Sequence, residues 1–177
     1  MSVRIRSERE PGALRVLATD GSVRGRAIGS AWLSDVGAWG LVIRQHPSYL
    51  SIKHGALHAE LLAVSLVIEQ VPGPFHILCD SQSVVEMVTA WRKGVMKPIP
   101  ECNSGTLEKL PVAVSRRVEA LTIGWVRGHD RHPLNEGADA IARLGSRSMA
   151  DGMKRLEVRR RAEGLAVAFA REFQEAS

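Results

Sequence analysis

Apolar residues recur along this chain in two rhythms. Short dense runs, "ALRVLATDGS" (13–22), "AIGSAWLSD" (27–35), "AWGLVIRQH" (38–46), "FHILCD" (75–80) and "LTIGWV" (121–126), have the length and side-chain content of strands. The first stops at Asp20-Gly21, a turn dipeptide. The next two follow closely around Gly37, which predicts an antiparallel meander. "FHILCD" is apolar without interruption, as expected of a parallel strand covered on both faces. The second rhythm is helical. "LHAELLAVSLVIEQ" (57–70) is apolar on most sides and ends at Val71-Pro72-Gly73-Pro74, so it predicts a helix with little solvent exposure. "SQSVVEMVTAW" (81–91) has helical spacing behind Ser81, a capping residue, and another helix is predicted to begin near Asn135.

Between these elements lie less regular stretches. Residues 92–117 contain Pro98, Pro100, Gly105 and Pro111 and predict an irregular region. Residues 1–12 are polar and end in Pro11-Gly12, which predicts a flexible lead-in. From about residue 148 the helical pattern resumes, with Arg159, Arg160 and Arg161 clustered. Two of the strands are entered from helices, which calls for crossover connections. The prediction is therefore an α/β fold, a mixed five-stranded sheet with helices on its faces. One domain (13–147) would sit between the lead-in (1–12) and a basic C-terminal helical extension (148–177).

Composition narrows the class. A chain of 177 residues is long enough for a sizeable core. No apolar run approaches the roughly 20 residues that cross a bilayer, and "MSVRIRSEREPG" has no apolar segment of a secretory leader. The only two cysteines, Cys79 and Cys102, suit a reducing compartment, so a cytoplasmic protein without membrane attachment is expected. The formal charge of +5 favours a polyanionic partner. His46, His54, His76 and His132 lack zinc-ligand spacing with either cysteine, which argues against a zinc site. Trp32, Trp39 and Trp125 lie in strand-like runs and read as core or sheet-face residues.

Four acids interrupt apolar elements: Asp20 at the end of the first strand, Glu60 in the first turn of a helical stretch otherwise uncharged until Glu69, Asp80 closing the buried strand, and Asp139 beyond the last. Each has a purely structural explanation. Asp-Gly is common turn chemistry, a Glu near a helix start suits the dipole, and Asp-Ser can precede a cap. If the four converged, their charges would repel unless hard cations held them, and Mg²⁺ takes such oxygen ligands. Spacing alone leaves both readings open.

Taken together, "TDGS" (19–22), "HAELLA" (58–63), "CDSQSVV" (79–85) and "WVRGHDRHPLNEGAD" (125–139) resemble the ribonuclease H type I family, in the family's element order. The resemblance implies an RNase H-like fold and hydrolysis of the RNA strand of RNA–DNA hybrids, leaving 5′-phosphate and 3′-hydroxyl ends. It implies that Asp20, Glu60, Asp80 and Asp139 hold two Mg²⁺ ions, or Mn²⁺, and that His129 moves protons or helps release product. It further implies RNA-strand contacts at Gln82 and Asn135, and backbone at Gly21 and Ser22 close to the 2′-hydroxyls that distinguish RNA from DNA.

The chain also departs from the family. "GALHAE" (55–60) replaces a polar run that contacts the DNA strand, and His58, Arg24 and Arg26 are candidates to substitute electrostatically. Trp91, Arg92, Lys93 and Lys97 would form a reduced version of a basic hybrid-gripping protrusion. In the tail, Leu165, Phe169 and Phe173 fall at i, i+4 and i+8, which predicts a packed helix with a solvated basic face, a self-association surface or extra phosphate contacts. Two rival functions remain: another nuclease on the same fold (an exonuclease or DNA-processing enzyme), and a catalytically silent binding module.

Overall fold

The computed structural model describes residues 2–8, 15–103, 105–128 and 130–176. Its centre is a six-stranded sheet in the order β1-β4-β3-β2-β5-β6. The strands are β1 (Ser2–Arg6), β2 (Arg15–Arg24), β3 (Ala27–Ser34), β4 (Trp39–Gln45), β5 (Phe75–Cys79) and β6 (Leu121–Trp125). β1 through β4 pair antiparallel, and β5 and β6 join β2 in parallel. Helices α1 (Ile52–Gln70), α2 (Gln82–Arg92), α3 (Gly105–Glu108) and α4 (Leu110–Ser115) belong to one face; α5 (Pro133–Ala150) and α6 (Arg155–Ala176) belong to the other.

Strand alternation builds the two cores. Leu17, Ile28, Trp32, Val42 and Ile77 bury against the buried side of α1 and α2. Ala18, Ala31, Leu33, Leu41 and Ile43 bury against Leu134, Ala138 and Ile141 of α5 and Val158, Ala162 and Ala166 of α6. α1 is buried from His58 to Ile68 because sheet and small helices enclose it, which explains its apolar composition on most sides. Ser81 caps α2, its hydroxyl accepting from the Val84 N–H.

Several expectations need correction. The sheet has six strands rather than five, because Ser2–Arg6, expected within a flexible lead-in, pairs along β4 from Ser2↔Arg44 to Arg6↔Gly40. The lead-in's remaining stretch, 9–14, lies outside the described residues. Asp20-Gly21 is not a turn: β2 continues to Arg24 and reverses at Gly25, whose φ of 57° suits a two-residue hairpin. α1 starts at Ile52, before the apolar pattern begins. The region 92–117 holds two short helices, α3 and α4.

Candidate functional site

The parallel pairing of β2 with β5 ends at Thr19↔Cys79, so the next residue on each strand, Asp20 and Asp80, emerges side by side. Asp20 points to the α5 side, as does Ser22, whose hydroxyl lies 3.0 Å from that of Ser146. Gly21 faces the other way and allows α1 to lie directly on the strand. A Cβ there would come within 2.5 Å of the Ala59 carbonyl carbon and the Glu60 nitrogen. That contact sets Glu60 beside Asp20. Oxygens of Asp20, Glu60 and Asp80 lie within 4.8 Å of one another, with Asp20 and Glu60 buried.

Asp80 is held from three sides. Asn135, buried in the first turn of α5, donates from Nδ2 to Asp80 Oδ2 at 3.3 Å. The Trp125 indole donates to the Asp80 carbonyl at 3.0 Å, and a Cβ on Gly128 would stand 2.8 Å from Asp80 Oδ2. Asp139 follows Asn135 by one turn of α5 and contributes charge at Asp20. It is not within the group of three, and its Oδ1 accepts from Arg143 Nε at 2.7 Å.

The electrostatics are those of crowded anions. Burial raises the Asp20 pKa to about 7, against hydrogen bonds from Glu60 and the Gly21 N–H, while the Asp80 and Asp139 charges raise it further. Glu60 is raised well above the carboxylate range, first by burial and then by the Asp20 charge. Glu60 Oε2 and Asn135 Oδ1 are buried without a hydrogen-bond partner. Among the described residues, no lysine or arginine forms an ion pair with Asp20, Glu60 or Asp80. A hard divalent cation would satisfy this donor set: oxygen ligands only, excess negative charge and a buried unpartnered oxygen.

The other expected residues divide. Gln82 is exposed at the start of α2, and Arg24 and Arg26 are exposed at the β2–β3 hairpin. Arg24 stands four residues along the strand from Asp20, roughly 13 Å by strand rise. Lys93 and Lys97 are exposed, and Arg92 donates to the Val118 carbonyl at 2.9 Å. Trp91 is fully buried and its indole donates to the Lys97 carbonyl at 2.8 Å, so its ring is a core group and presents no gripping surface. His58 is likewise buried, bonded to the Pro100 carbonyl at 2.6 Å, and burial lowers its pKa; it offers no exposed charge in place of the missing polar run. Trp125, expected in the core or on a sheet face, is half exposed beside Asp80. His129 lies outside the described residues. Sequence reasoning passed over Arg143, although its i+4 spacing from Asp139 is the signal for such a pair.

Known proteins resemble this chain over most of its length. The RNase H family model matches residues 14–147. The chain is 31% identical over 149 residues to a protein named Ribonuclease H from Alkalilimnicola ehrlichii, covering 75% of this chain and 94% of that protein. It is 30% identical over 153 residues to one of the same name from Methylococcus capsulatus, covering 78% and 92%. A third, from Anaeromyxobacter dehalogenans, is 37% identical over 98 residues, covering 51% of this chain; here the match spans only about half, 54%, of the relative's length.

Proposed function

We propose, because the chain belongs to the RNase H family, that it is a metal-dependent endoribonuclease hydrolysing the RNA strand of RNA–DNA hybrids, with 5′-phosphate and 3′-hydroxyl products. The observation that carries this reading is the convergence of Asp20, Glu60 and Asp80 oxygens within 4.8 Å of one another. With Asp139, these residues would hold two Mg²⁺ ions, or Mn²⁺. Bound there, the cations would supply Lewis-acid activation of water and neutralise charge at the leaving oxygen.

The chain's own residues do the rest. Asn135 fixes Asp80 through its amide N–H, and Gly128 and the Trp125 indole hem in the same residue. Gly21 and Ser22 present backbone beside the carboxylates for ribose recognition, and Gln82, exposed at the first residue of α2 two positions after Asp80, meets the RNA strand. His129 exchanges protons at working pH. Arg24, Arg26, Arg92 and Lys93 contribute positive charge to phosphate binding, without Trp91. Free Cys79 and Cys102 support work in the cytoplasm, and no helix among the described residues is long and apolar enough to cross a membrane. Self-association through α6 has only that helix's outward side to use, since Val158, Ala162, Ala166 and Ala170 are buried.

Cleavage of a labelled RNA–DNA hybrid is the test, beside RNA–RNA and DNA–DNA duplexes, with Mg²⁺, Mn²⁺ or EDTA and with Asp80→Asn as control. Hybrid-only cleavage, lost with EDTA and in the variant, is expected. Cleavage of DNA would favour a DNA-processing role, and a folded protein inert with both metals would favour a silent binding module.

A further inference from the structure

The C-terminal helix α6 lies beyond the 14–147 family match, yet it packs on the start of α5, the helix that carries Asn135 and Asp139. Its inward face is a row of small residues at helical spacing, Ala162, Ala166 and Ala170, which lets it lie close on α5 and the sheet. It is tied to the β3–β4 turn and to the start of β4: Gln174 Nε2 donates to the Asp35 carbonyl at 2.8 Å, and Trp39 Nε1 donates to Glu163 at 2.7 Å.

Its two aromatic residues fall on the part of α5 that carries chemistry. Gly137 lies midway between Asn135 and Asp139. A Cβ there would stand 2.8 Å from Phe169 Cβ and 2.4 Å from Leu33 Cδ2. α5 is thus in close contact with both the sheet and α6 at that residue. One turn further along α6, the Phe173 ring meets the His132 ring, with centroids 5.8 Å apart and planes 38° apart. His132 is the N-cap of α5, immediately before the turn that places Asn135 against Asp80.

We propose that α6 is a built-in positioning element for the catalytic end of α5, with Phe169 and Phe173 as the positioning residues that fix Asn135 and Asp139. The inference rests on the functional reading above for its consequence, though not for its geometry. A misplacement of about 1 Å at a catalytic group can cost on the order of a hundredfold in rate. α6 therefore contributes to turnover without touching substrate.

The test compares Phe173→Ala with Val158→Ala in the full chain. Val158 is buried at the opposite end of α6, fifteen residues and roughly 22 Å of helix rise away. Two readouts are used: amide hydrogen exchange across residues 130–140, and kcat and KM on the hybrid at temperatures scaled to each variant's Tm. Phe173→Ala is expected to speed exchange at 131–139 and lower kcat about tenfold, with KM within twofold. Val158→Ala should lower Tm and leave both readouts at the wild-type level, and Phe173→Tyr should restore them. Should Phe173→Ala fail to fold, Phe173→Leu, which keeps bulk but not the ring, is expected to show a smaller change in the same direction. Equal effects of the Phe173 and Val158 variants, or none from Phe173, would overturn the proposal. A wild-type protein that cleaves no hybrid would sink the functional reading alone, because hydrogen exchange still reports whether α6 orders α5.

Discussion

Gly21 and Glu60 are in backbone contact: a Cβ on Gly21 would come within 2.5 Å of the Glu60 nitrogen. The absence of a side chain at one residue fixes the carboxylate of the other. Gly21→Ala is therefore expected to push α1 off β2, at a cost of about 1–3 kcal/mol from overpacking, and to abolish activity. Gly25→Ala meets no atom within 4 Å and is strained only by its φ of 57°, so it should cost about 1–2 kcal/mol with activity retained. Urea denaturation and hybrid cleavage on both variants check the contrast.

The raised carboxylates predict how stability depends on pH. Asp20 titrates near 3.8 when unfolded and at about 7 when folded, so between these values the folded state binds more protons. Stability of the metal-free protein then falls as pH rises from about 4 to about 7, by a few kcal/mol. Glu60, raised for the same reason, acts in the same direction. Urea midpoints in EDTA between pH 4.5 and 8 should show this fall beside the other titrations, and saturating Mg²⁺ should flatten it.

Glu60→Gln removes a buried charge while keeping the shape. The variant is expected to be more stable than wild type in EDTA above pH 7, by about 1–3 kcal/mol, and inactive. Its Tm should no longer rise with Mg²⁺ as the wild type's does.

Trp91 separates core from substrate contact. Trp91→Ala should cost about 3–5 kcal/mol in urea denaturation. Trp91→Phe, which refills most of the space, should leave KM for the hybrid within twofold of wild type. A large KM rise in the folded Phe variant would return this residue to the binding surface.

Arg143 is about half exposed, so its pair with Asp139 should contribute less than about 1 kcal/mol to folding. Arg143→Gln frees an Asp139 oxygen. Calorimetric titration is expected to show tighter Mn²⁺ binding with almost unchanged Tm.

Elements whose stability is local were legible in the sequence. β5 and β6 follow from dense apolar runs, and α2 follows from its spacing and the Ser81 cap. What pairing decides was not. "SVRIR" reads as polar because its arginines alternate with Val3 and Ile5, yet the ladder to β4 makes it a strand. Asp20-Gly21 has the local chemistry of a turn, but the cross-strand partners Ala31 and Ser30 hold it extended. The four acids were identifiable one at a time. The meeting of Asp20, Glu60 and Asp80 depends on β2–β5 register and on the space above Gly21, both long-range facts. Trp91 looked like a gripping residue because exposure is invisible in sequence.

β1 has a consequence for how the protein behaves in a crowded solution. Without it the sheet would end at β4, whose "WGLVI" segment would offer a row of unpaired amides and carbonyls beside aliphatic side chains. Such an edge is a template for another chain and a route to aggregation. Five residues close it; Arg4 there is paired with Glu69, and exposed Arg6 leaves a positive charge on the new margin, which other copies of the chain would meet as like charge.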